Sequence, residues 1–517
     1  MVDKLKSLES GKVFEFFYAM NQIPRGSGNE KAISDWLADF AKKRNLEVKQ
    51  DAYNNIIIRK GGTAGYEKAD TVILQGHMDM VCEKEKDSPH DFLKDPIAFI
   101  VEGDTLRADK TTLGADDGIA VAMSLALLDA DDIPHPPLEV LFTVAEETGM
   151  DGAIGLNPAD IKWRTLVNID SEEEGVFLTS CAGGKEVFFH LPIKWEDIAA
   201  SKHFLKIAVS GLIGGHSGME IIKERGNANK LLARVLHAIG KKTQYNIAHI
   251  AGGSKHNAIP REAYAVIAVN ASDEALVHDI VKAFDKIFKN EFAGIDNGVT
   301  VSVAADAGKV QRVFDASTSE RIVELLLLTT HGVIAMSHSI EHLVQTSNNL
   351  AIIETLDNEV KVSCAIRSSI KSQKEAVADE FGIIGKLTGA KMVFDPGYPE
   401  WQYSPHSKIR DTFVEVYKKE FGKEPVISAI HAGLECGLFS EKFNGALDQI
   451  SFGPNIYDVH TPKGFRKFRN TFGLILRFCF CARCPFINFY FMINYWRIFV
   501  YSVKSSILVL QIFCRYS

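Results

Sequence analysis

The fold is decided by the stretch Thr71-Val-Ile-Leu-Gln-Gly-His-Met-Asp-Met80, where an apolar run leads directly into two polar side chains. The apolar residues at its start predict a buried strand that ends at Gly76. His77 and Asp79 follow, and side chains at i and i+2 of an extended segment point to the same face. An imidazole and a carboxylate leaving a strand end together suit a metal ligand and its supporting or catalytic partner. Taken alone, the pattern equally fits a surface histidine beside a turn.

Length and composition indicate an ordinary globular protein. The chain of 517 residues predicts two or more domains, and 46% hydrophobic with 24% charged residues is typical of soluble chains. The start, Met1-Val-Asp-Lys-Leu-Lys6, lacks the apolar core of a secretory signal. Cys82, Cys181, Cys364 and Cys436 lie far apart without paired spacing, as expected of reduced thiols. Together these features predict a cytoplasmic protein.

The last 53 residues, 465–517, differ from the rest of the chain. They contain no Asp or Glu but hold 8 Lys and Arg and 10 of the 32 Phe. Residues 1–464 have 50 basic and 66 acidic residues, a net charge of −16, which argues against nucleic acid as a partner. The longest uncharged run of the tail, 484–496, has 13 residues. A bilayer span needs about 18, so no membrane partner is expected. We interpret the tail as a segment not selected to pack and assign it no function.

Strands alternate with helices in the first third of the chain. The predicted elements are a helix at 29–44 capped by Ser27 or Asn29, strands at 54–59, 71–74, 138–145 and 166–170, and a helix at 119–128. This alternation predicts an α/β domain with a mostly parallel sheet, in which ligands bind beyond the carboxyl ends of the strands. Several polar residues lie at such strand ends or before a helix: His77, Asp116, Glu146, Glu147 and Asp170.

From about residue 185 the pattern changes to antiparallel strands and helices, and 310–395 has a similar order. This change predicts an inserted α+β domain with the pattern of an internal duplication. The predicted division is one domain in two parts, 1–186 and 399–464, an inserted domain at 187–398 and the aberrant tail 465–517.

Each polar candidate also has a structural interpretation. Asp116 and Asp117 fit a helix cap, Glu146-Glu147 fits a solvated pair, and His460 fits a loop histidine. Together, however, they have the composition of a two-metal hydrolytic site, which needs about four terminal ligands and one bridge. In one arrangement that satisfies this count, Asp116 bridges the two ions, His77 and Asp170 bind one of them, and Glu147 and His460 bind the other. Glu146 is then free to act as general base, and Asp79 would orient the ring of His77. Nitrogen and oxygen ligands suit Zn²⁺, and Mn²⁺ or Co²⁺ fit the same set.

Four motifs carry a family resemblance over essentially residues 1–464. They are Gly76-His-Met-Asp-Met-Val81, Leu113-Gly-Ala-Asp-Asp-Gly118, Glu146-Glu-Thr-Gly-Met-Asp-Gly152 and Asn168-Ile-Asp170. Together they resemble the M20 metallopeptidases, and within that family the aminoacyl-histidine dipeptidases. The resemblance implies a zinc-exopeptidase-like catalytic domain with an inserted α+β lid domain and two Zn²⁺ per subunit. It implies the same roles as above for His77, Asp79, Asp116, Glu146, Glu147, Asp170 and His460, and a cis peptide bond between Asp116 and Asp117.

The resemblance extends to substrate contacts. Gly214-Gly-His216-Ser-Gly218 is similar to the family's lid motif, in which the imidazole helps to stabilise the tetrahedral oxyanion. Asn257 and Arg367 match positions that hold the backbone and the C-terminal carboxylate of the substrate, and a guanidinium is the natural partner of a carboxylate. Gly433 would leave backbone room beside the substrate, and Glu435 is a candidate for its free amino group.

These expectations favour a dinuclear zinc dipeptidase that cleaves unblocked dipeptides, including Xaa-His and β-alanyl-His. Two alternatives are open: an N-acyl amino acid deacylase or broader di- and tripeptidase of the same fold, and an inactive binding protein. The small dipeptide is the expected partner, and a homodimer is slightly favoured over a monomer.

One departure from the family lies near the end of the chain. Family members continue past His460-Thr-Pro with a packed helix, which the sequence from Phe465 onward does not resemble. Loss of that helix is expected to destabilise the domain.

Overall fold

The computed structural model describes residues 11–102, 105–198, 202–306, 308 and 310–467. The tail predicted at 465–517 lies outside the described residues, except for the backbone of its first three residues.

The first sheet is mixed and mostly parallel. Within the described ranges it has eight strands, which in spatial order are β1 (Glu47–Gln50), β2 (Ile56–Lys60), β6 (Leu138–Thr143), β3 (Val72–His77), β7 (Thr165–Asn168), β23 (Asp448–Ser451), β8 (Val176–Cys181) and β22 (Val426–Ile430). The central β3 pairs in parallel with β6 and β7, while β1 and β2 are antiparallel. The helices of this domain are α1 (Gly11–Met20), α2 (Lys31–Lys43), α3 (Ala115–Asp129), α4 (Asp151–Gly155), α9 (Lys408–Phe421) and α10 (Glu435–Lys442). The predicted α/β class is confirmed.

The apolar run of β3 is buried on both faces of the sheet. Val72 and Leu74 pack in the cluster that contains α1, α2 and α3, whereas Ile73 packs on the opposite face with Phe439 of α10. Successive side chains of a strand point to opposite faces, so a strand covered on both sides must be apolar at every position.

Two local predictions are wrong. Gly76 does not end the strand, because β3 continues to His77, which is in register with Thr143 of β6. Neither Ser27 nor Asn29 caps the following helix, since α2 begins after Glu30, whose side chain makes no cap hydrogen bond.

The second sheet is antiparallel and belongs to the inserted domain. In the described part of the chain its strands are, in spatial order, β16 (Thr300–Ala305), β11 (Lys202–Ser210), β15 (Ala263–Asn270), β13 (Tyr245–Gly252), β19 (Val344–Thr355), β20 (Glu359–Ser368), β9 (Gly183–Pro192) and β21 (Lys391–Phe394), with β18 (Gly332–Met336) also paired to β19. The face that carries Leu205, Ile207 and Val209 is covered by the helices α5 (Ala228–Gly240), α6 (Glu274–Glu291), α7 (Ala316–Leu328) and α8 (Lys371–Thr388). From one edge inward the sheet has β16, β11, β15 and β13, and from the other edge inward it has β21, β9, β20 and β19. In both halves these are the fourth, first, third and second strand in chain order, as a duplication would produce. The duplication itself stays a prediction.

The chain passes between the two sheets at neighbouring points. β8 ends at Cys181 and β9 begins at Gly183, and the returning segment pairs beside them through the bridges Cys181–Trp401 and Gly184–Tyr398. The predicted domain limits at 186 and 398 lie close to this crossing and stay predictions.

Smaller elements complete the described chain. They are β4 (Phe99–Glu102), β5 (Thr105–Ala108), β24 (Ile456–Tyr457) and β25 (Phe465–Lys467) in one sheet, β10 (Trp195–Asp197) with β17 (Arg312–Phe314), β12 (Gly215–His216) with β14 (Ala258–Ile259), and 3-10 turns at Pro158–Asp160, Ile221–Lys223 and Ala271–Asp273. Among the helices in the described ranges, none combines the length and apolar character needed to cross a lipid bilayer.

Candidate active site

The carboxyl ends of three parallel strands gather histidine and carboxylate side chains at one edge of the mixed sheet. His77 ends β3, Glu146 and Glu147 follow β6, and Asp170 follows β7. Asp116, in the first turn of α3, joins them. Three groups have ligand atoms within 4.8 Å of one another: His77 with Glu146 and Glu147, His77 with Asp116 and Asp170, and Asp116 with Glu147 and His460.

The carboxylate of Asp116 lies between two imidazoles. Its Oδ1 is 3.0 Å from Nε2 of His77, and its Oδ2 is 3.1 Å from Nε2 of His460. His460 Nε2 is also 3.1 Å from a carboxylate oxygen of Glu147, and His77 Nε2 is 3.5 Å from Asp170. The peptide bond between Asp116 and Asp117 is cis, as the resemblance implies. One carboxylate therefore lies between two histidine–carboxylate pairs, His77 with Asp170 and His460 with Glu147.

The pKa values of these groups reflect crowded negative charge in a buried place. Burial raises the pKa of Asp170 to about 7. Burial would raise the pKa of Asp116 as well, but the hydrogen bonds from His460 and His77 outweigh it and hold the pKa well below its ordinary value. Hydrogen bonds to Asp116 and Glu147 raise the pKa of His460 to about 10. The carboxylates thus draw positive charge onto the imidazoles between them.

Asp79 is completely buried and organises the cluster from behind. Its carboxylate lies 3.2 Å from Nδ1 of His77 and accepts the hydroxyl hydrogen of Ser27 at 2.8 Å. It also accepts the backbone N–H groups of Glu146 and Glu147, at 3.2 and 3.3 Å. One carboxylate therefore fixes both the ring of His77 and the turn that follows β6.

The segment before α2 supports the same turn, and sequence reasoning missed it. Glu30 accepts the N–H groups of Gly28 and Ala145, at 2.8 and 3.1 Å. Ala145 has a positive φ of 54°, a conformation that non-glycine residues rarely adopt and that the glutamate bond helps to hold. In the sequence, Ser27 and Glu30 indicate only the start of a helix. Their contacts with Asp79 and Ala145 are with distant segments, which no local pattern indicates.

Glu435 begins α10 and reaches the same sheet edge from the other side. It is fully buried, and its Oε2 accepts hydrogen bonds from Gln75 at 2.6 Å and Thr143 at 2.7 Å. Its Oε1 has no partner among the described residues. Burial raises the pKa of Glu435 to about 8. Gln75, a polar residue inside an apolar strand, was the one sequence signal for this network.

His216 in the lid has a defined tautomer. Its Nδ1 accepts the backbone N–H groups of Gly218 at 3.3 Å and Met219 at 3.0 Å, which places the proton of the neutral ring on Nε2. Burial and nearby Arg367 lower the pKa of His216, so the ring stays neutral. The ring is therefore a neutral hydrogen-bond donor through Nε2. Asn257 lies beside it, where its carbonyl accepts the N–H of Ser217.

Arg367 is held by a tyrosine that the sequence did not indicate. Its Nη1 donates to the hydroxyl of Tyr398 at 2.7 Å, and its Nε has no partner among the residues described. The tyrosine ring fills the space beside Gly433, since a Cβ there would lie 2.8 Å from the ring. In this structure Gly433 thus makes room for Tyr398, whereas the sequence prediction concerned room for the substrate, which stays untested.

His431 joins this second group. Its Nε2 lies 2.7 Å from the hydroxyl oxygen of Ser347 on β19. Burial lowers the pKa of His431 to about 3, and Arg367 and His216 add to this effect. The structure therefore places the predicted residues in two groups, the strand-end cluster and the lid group around Arg367. The loop from His431 to Glu435 touches both.

The strand-end residues fit a pair of divalent cations. Imidazole nitrogens and carboxylate oxygens are borderline to hard ligands of the kind that Zn²⁺ and Mn²⁺ bind. Glu147 keeps a buried oxygen, Oε1, without a partner in the described part of the chain. A buried carboxylate oxygen left unpaired is costly, and a bound cation would supply a partner for it.

Known dipeptidases resemble this chain over most of its length. Residues 207–296 match the peptidase dimerisation domain of the M20 family. The chain is 39% identical over 464 residues to the cytosol non-specific dipeptidase of Escherichia coli K12, covering 89% of this chain and 95% of that protein. It superposes on the aminoacylhistidine dipeptidase of Vibrio alginolyticus with a TM-score of 0.87 and 35% identity, covering 94% and 99% of the two chains. A tripeptidase from Staphylococcus aureus, at 16% identity and a TM-score of 0.51, shares the fold.

Both the identity to the Escherichia coli protein and the match across nearly its whole length are far above what a shared fold alone produces. This chain belongs to the M20 family of metallopeptidases, which are hydrolases of peptide bonds.

Proposed function

We propose that this protein is a dinuclear zinc dipeptidase that hydrolyses unblocked dipeptides, with Xaa-His and β-alanyl-His among its substrates. The observation that carries the proposal is the position of Asp116, whose two oxygens face His77 and His460 at 3.0 and 3.1 Å. A carboxylate shared between two histidine–carboxylate pairs is what two neighbouring cations require.

The proposed ligands are His77 and Asp170 for one ion, Glu147 and His460 for the other, and Asp116 for both. Such ions lower the pKa of a water molecule and polarise the scissile carbonyl group. Mn²⁺ and Co²⁺ suit the same donors, and metal content of the purified protein would identify the native ion.

Glu146 is the proposed general base. Its carboxylate is 4.0 Å from Nε2 of His77, beside the ligands but without a ligand role in the proposed set. In this role it takes a proton from the attacking water and returns it to the leaving amine. Asp79 keeps His77 oriented through Nδ1, as carboxylates behind metal-binding imidazoles do.

The lid group supplies the proposed substrate contacts. His216, a neutral donor through Nε2, would stabilise the oxyanion of the tetrahedral intermediate. Arg367 would bind the C-terminal carboxylate, and Asn257 and Gly433 would line the peptide backbone. The buried carboxyl group of Glu435, with one oxygen lacking a partner among the described residues, suits the free amino group of a dipeptide.

This last contact distinguishes the proposal from the deacylase alternative. An N-acyl amino acid presents a carboxylate but no ammonium group, so Glu435 would face an uncharged acyl chain. The names of the Escherichia coli and Vibrio alginolyticus relatives, both dipeptidases, also support the dipeptide class.

The test is hydrolysis of β-alanyl-His, Gly-His and N-acetyl-His by purified protein, assayed after treatment with a chelator and again after addition of Zn²⁺. We expect turnover of both dipeptides that is lost with the chelator and restored by the metal, and little turnover of N-acetyl-His. Preference for N-acetyl-His would favour the deacylase. No turnover of any substrate by folded protein that has bound Zn²⁺ would favour a binding protein.

Two further parts of the proposal concern assembly and location. The match of residues 207–296 to a peptidase dimerisation domain supports a homodimer. Size-exclusion chromatography with light scattering would test it by measuring the molar mass of the purified protein. The name of the Escherichia coli relative places that protein in the cytosol, which supports a cytoplasmic location here.

A further inference from the structure

Arg25 is a buried arginine behind the strand-end cluster. Its side chain is only 1% exposed. Nη1 donates to the backbone carbonyls of Met78 and Asp79, at 3.0 and 2.9 Å. Nη2 donates to the carbonyl of Gly114 at 2.5 Å and to the side chain of Asn21 at 3.3 Å. One guanidinium thus joins the loop after β3, which follows His77 and carries Asp79, to Gly114, which immediately precedes the helix α3 that presents Asp116.

Two glycines of the motif Leu113-Gly-Ala-Asp-Asp-Gly118 are needed for this contact. A Cβ at Gly114 would lie 2.4 Å from Nη2 of Arg25, and a Cβ at Gly118 would lie 2.7 Å from it. Both distances are too short for any side chain. The backbone of the motif is therefore fitted around the guanidinium.

The guanidinium also carries a positive charge that interacts with acidic side chains of the cluster. Asp79, Asp117 and Asp116 all stabilise its charged form, which opposes the lowering of its pKa by burial to about 10. It remains charged at neutral pH. A planar group with donors in fixed directions can hold two loops at once, which the single ammonium of a lysine cannot reproduce.

We propose that Arg25 is a positioning residue that fixes the loop after His77 against the start of α3, which carries Asp116, and so preorganises both side chains for metal binding. This inference rests on the proposed metal site. It assigns a role to the segment before α2, which contributes none of the proposed ligands. Removal of a residue that orients ligands from behind typically reduces metal affinity by about 10- to 100-fold.

The experiment compares Zn²⁺ affinity of chelator-treated wild type, Arg25→Lys and Arg410→Lys, measured by competition with a chromophoric chelator. Arg410 is the matched control because it too is buried and donates to two backbone carbonyls, those of Ser404 and Pro405, at 2.7 and 2.9 Å. Its contacts lie at the start of α9, away from the proposed ligands. The absorption spectrum of bound Co²⁺ provides a second readout of ligand geometry.

We expect Arg25→Lys to lose about 10- to 100-fold in affinity and to change the Co²⁺ spectrum, while Arg410→Lys changes neither. If Arg25→Lys does not fold, Gly118→Ala displaces the guanidinium without removing its charge, at a helical position without a positive φ, and should show the same loss.

Affinity within twofold of wild type for the tested variant, or an equal loss in Arg410→Lys, would overturn the role of Arg25 while leaving the metal site in place. A wild-type protein that binds no Zn²⁺ would instead overturn the proposed function, and this role with it.

Discussion

Replacement of Tyr398 by Phe removes one hydroxyl group and tests whether Arg367 binds the substrate carboxylate. The hydroxyl accepts a hydrogen bond from Nη1 of Arg367 at 2.7 Å, and the tyrosine ring packs against Gly433 and Gly184. Phenylalanine keeps the ring and its packing. The change should therefore affect the direction of the guanidinium and little else.

The size of the effect follows from the kind of bond that is lost. A hydrogen bond to a charged group contributes about 1.5–3 kcal/mol. In the variant, water or substrate replaces part of this interaction, so we expect about 1.4 kcal/mol to be lost from substrate binding, which is about tenfold in KM. The turnover number should change little, because in the proposed mechanism Arg367 binds the end of the substrate and not the reacting carbonyl.

The assay measures kcat and KM for Gly-His and for Gly-His amide, which lacks the carboxylate. KM should rise for the acid and not for the amide. Tyr403→Phe is the control, since Tyr403 lies near Arg410, 5.4 Å from its ring centroid to the guanidinium, and not near Arg367. The reasoning is refuted if KM for the acid is unchanged, or if it rises equally for the amide.

Three further predictions test separate parts of the molecule. Glu146→Gln should lower kcat by about 10²- to 10⁴-fold with metal content retained, and an unchanged kcat would exclude Glu146 as the base. Burial lowers the pKa of His431 from 6.5 to about 3. As the pH falls below 6.5, this histidine therefore binds a proton in the unfolded chain but stays unprotonated in the native state. His431 should therefore lower the free energy of unfolding at pH 5 by about 2 kcal/mol. Urea titrations at pH 5 and 7.5 should show this loss in the wild type and not in His431→Gln, and equal pH dependence in both proteins would contradict the prediction. Lys374 and Glu400 form a buried ion pair at 2.6 Å. Lys374→Met should lower the free energy of unfolding by about 3–5 kcal/mol because it leaves the glutamate unpaired, and the double variant Lys374→Met with Glu400→Leu should lose less. A loss under about 1 kcal/mol in the single variant would argue against a stabilising pair.

The fold class was readable from sequence because burial on two faces leaves a plain signal. The run from Val72 to Leu74 is apolar at each position, and the structure covers it on both sides. The end of that strand was not readable, because Gly76 has a long-range role. A Cβ at Gly76 would lie 2.4 Å from a carboxylate oxygen of Asp117, so the glycine makes room for a residue 41 positions away. Local rules treat such a glycine as a strand breaker.

The strand-end residues were predictable for a similar reason, and their neighbours were not. Parallel strands bring their carboxyl ends to one edge, so polar residues at several such ends must meet there. Arg25 and Tyr398 have no such pattern. Each acts through a contact with a distant segment, Arg25 with the carbonyl of Gly114 and Tyr398 with Arg367, and a single sequence contains no sign of either contact.

The loop from His431 to Glu435 shows why these residues cannot be interpreted one at a time. At its start, His431 bonds Ser347 of the lid, and at its end Glu435 bonds Thr143 of the mixed sheet. Between them, Gly433 packs on the ring that holds Arg367. Five consecutive residues therefore connect the group proposed to bind the carboxylate with the edge proposed to bind the metals. Because this packed loop contacts both groups, we expect the position of Arg367 to be coupled to that of Glu435. With the proposed substrate contacts, the loop would set the distance between the sites for the two ends of a dipeptide.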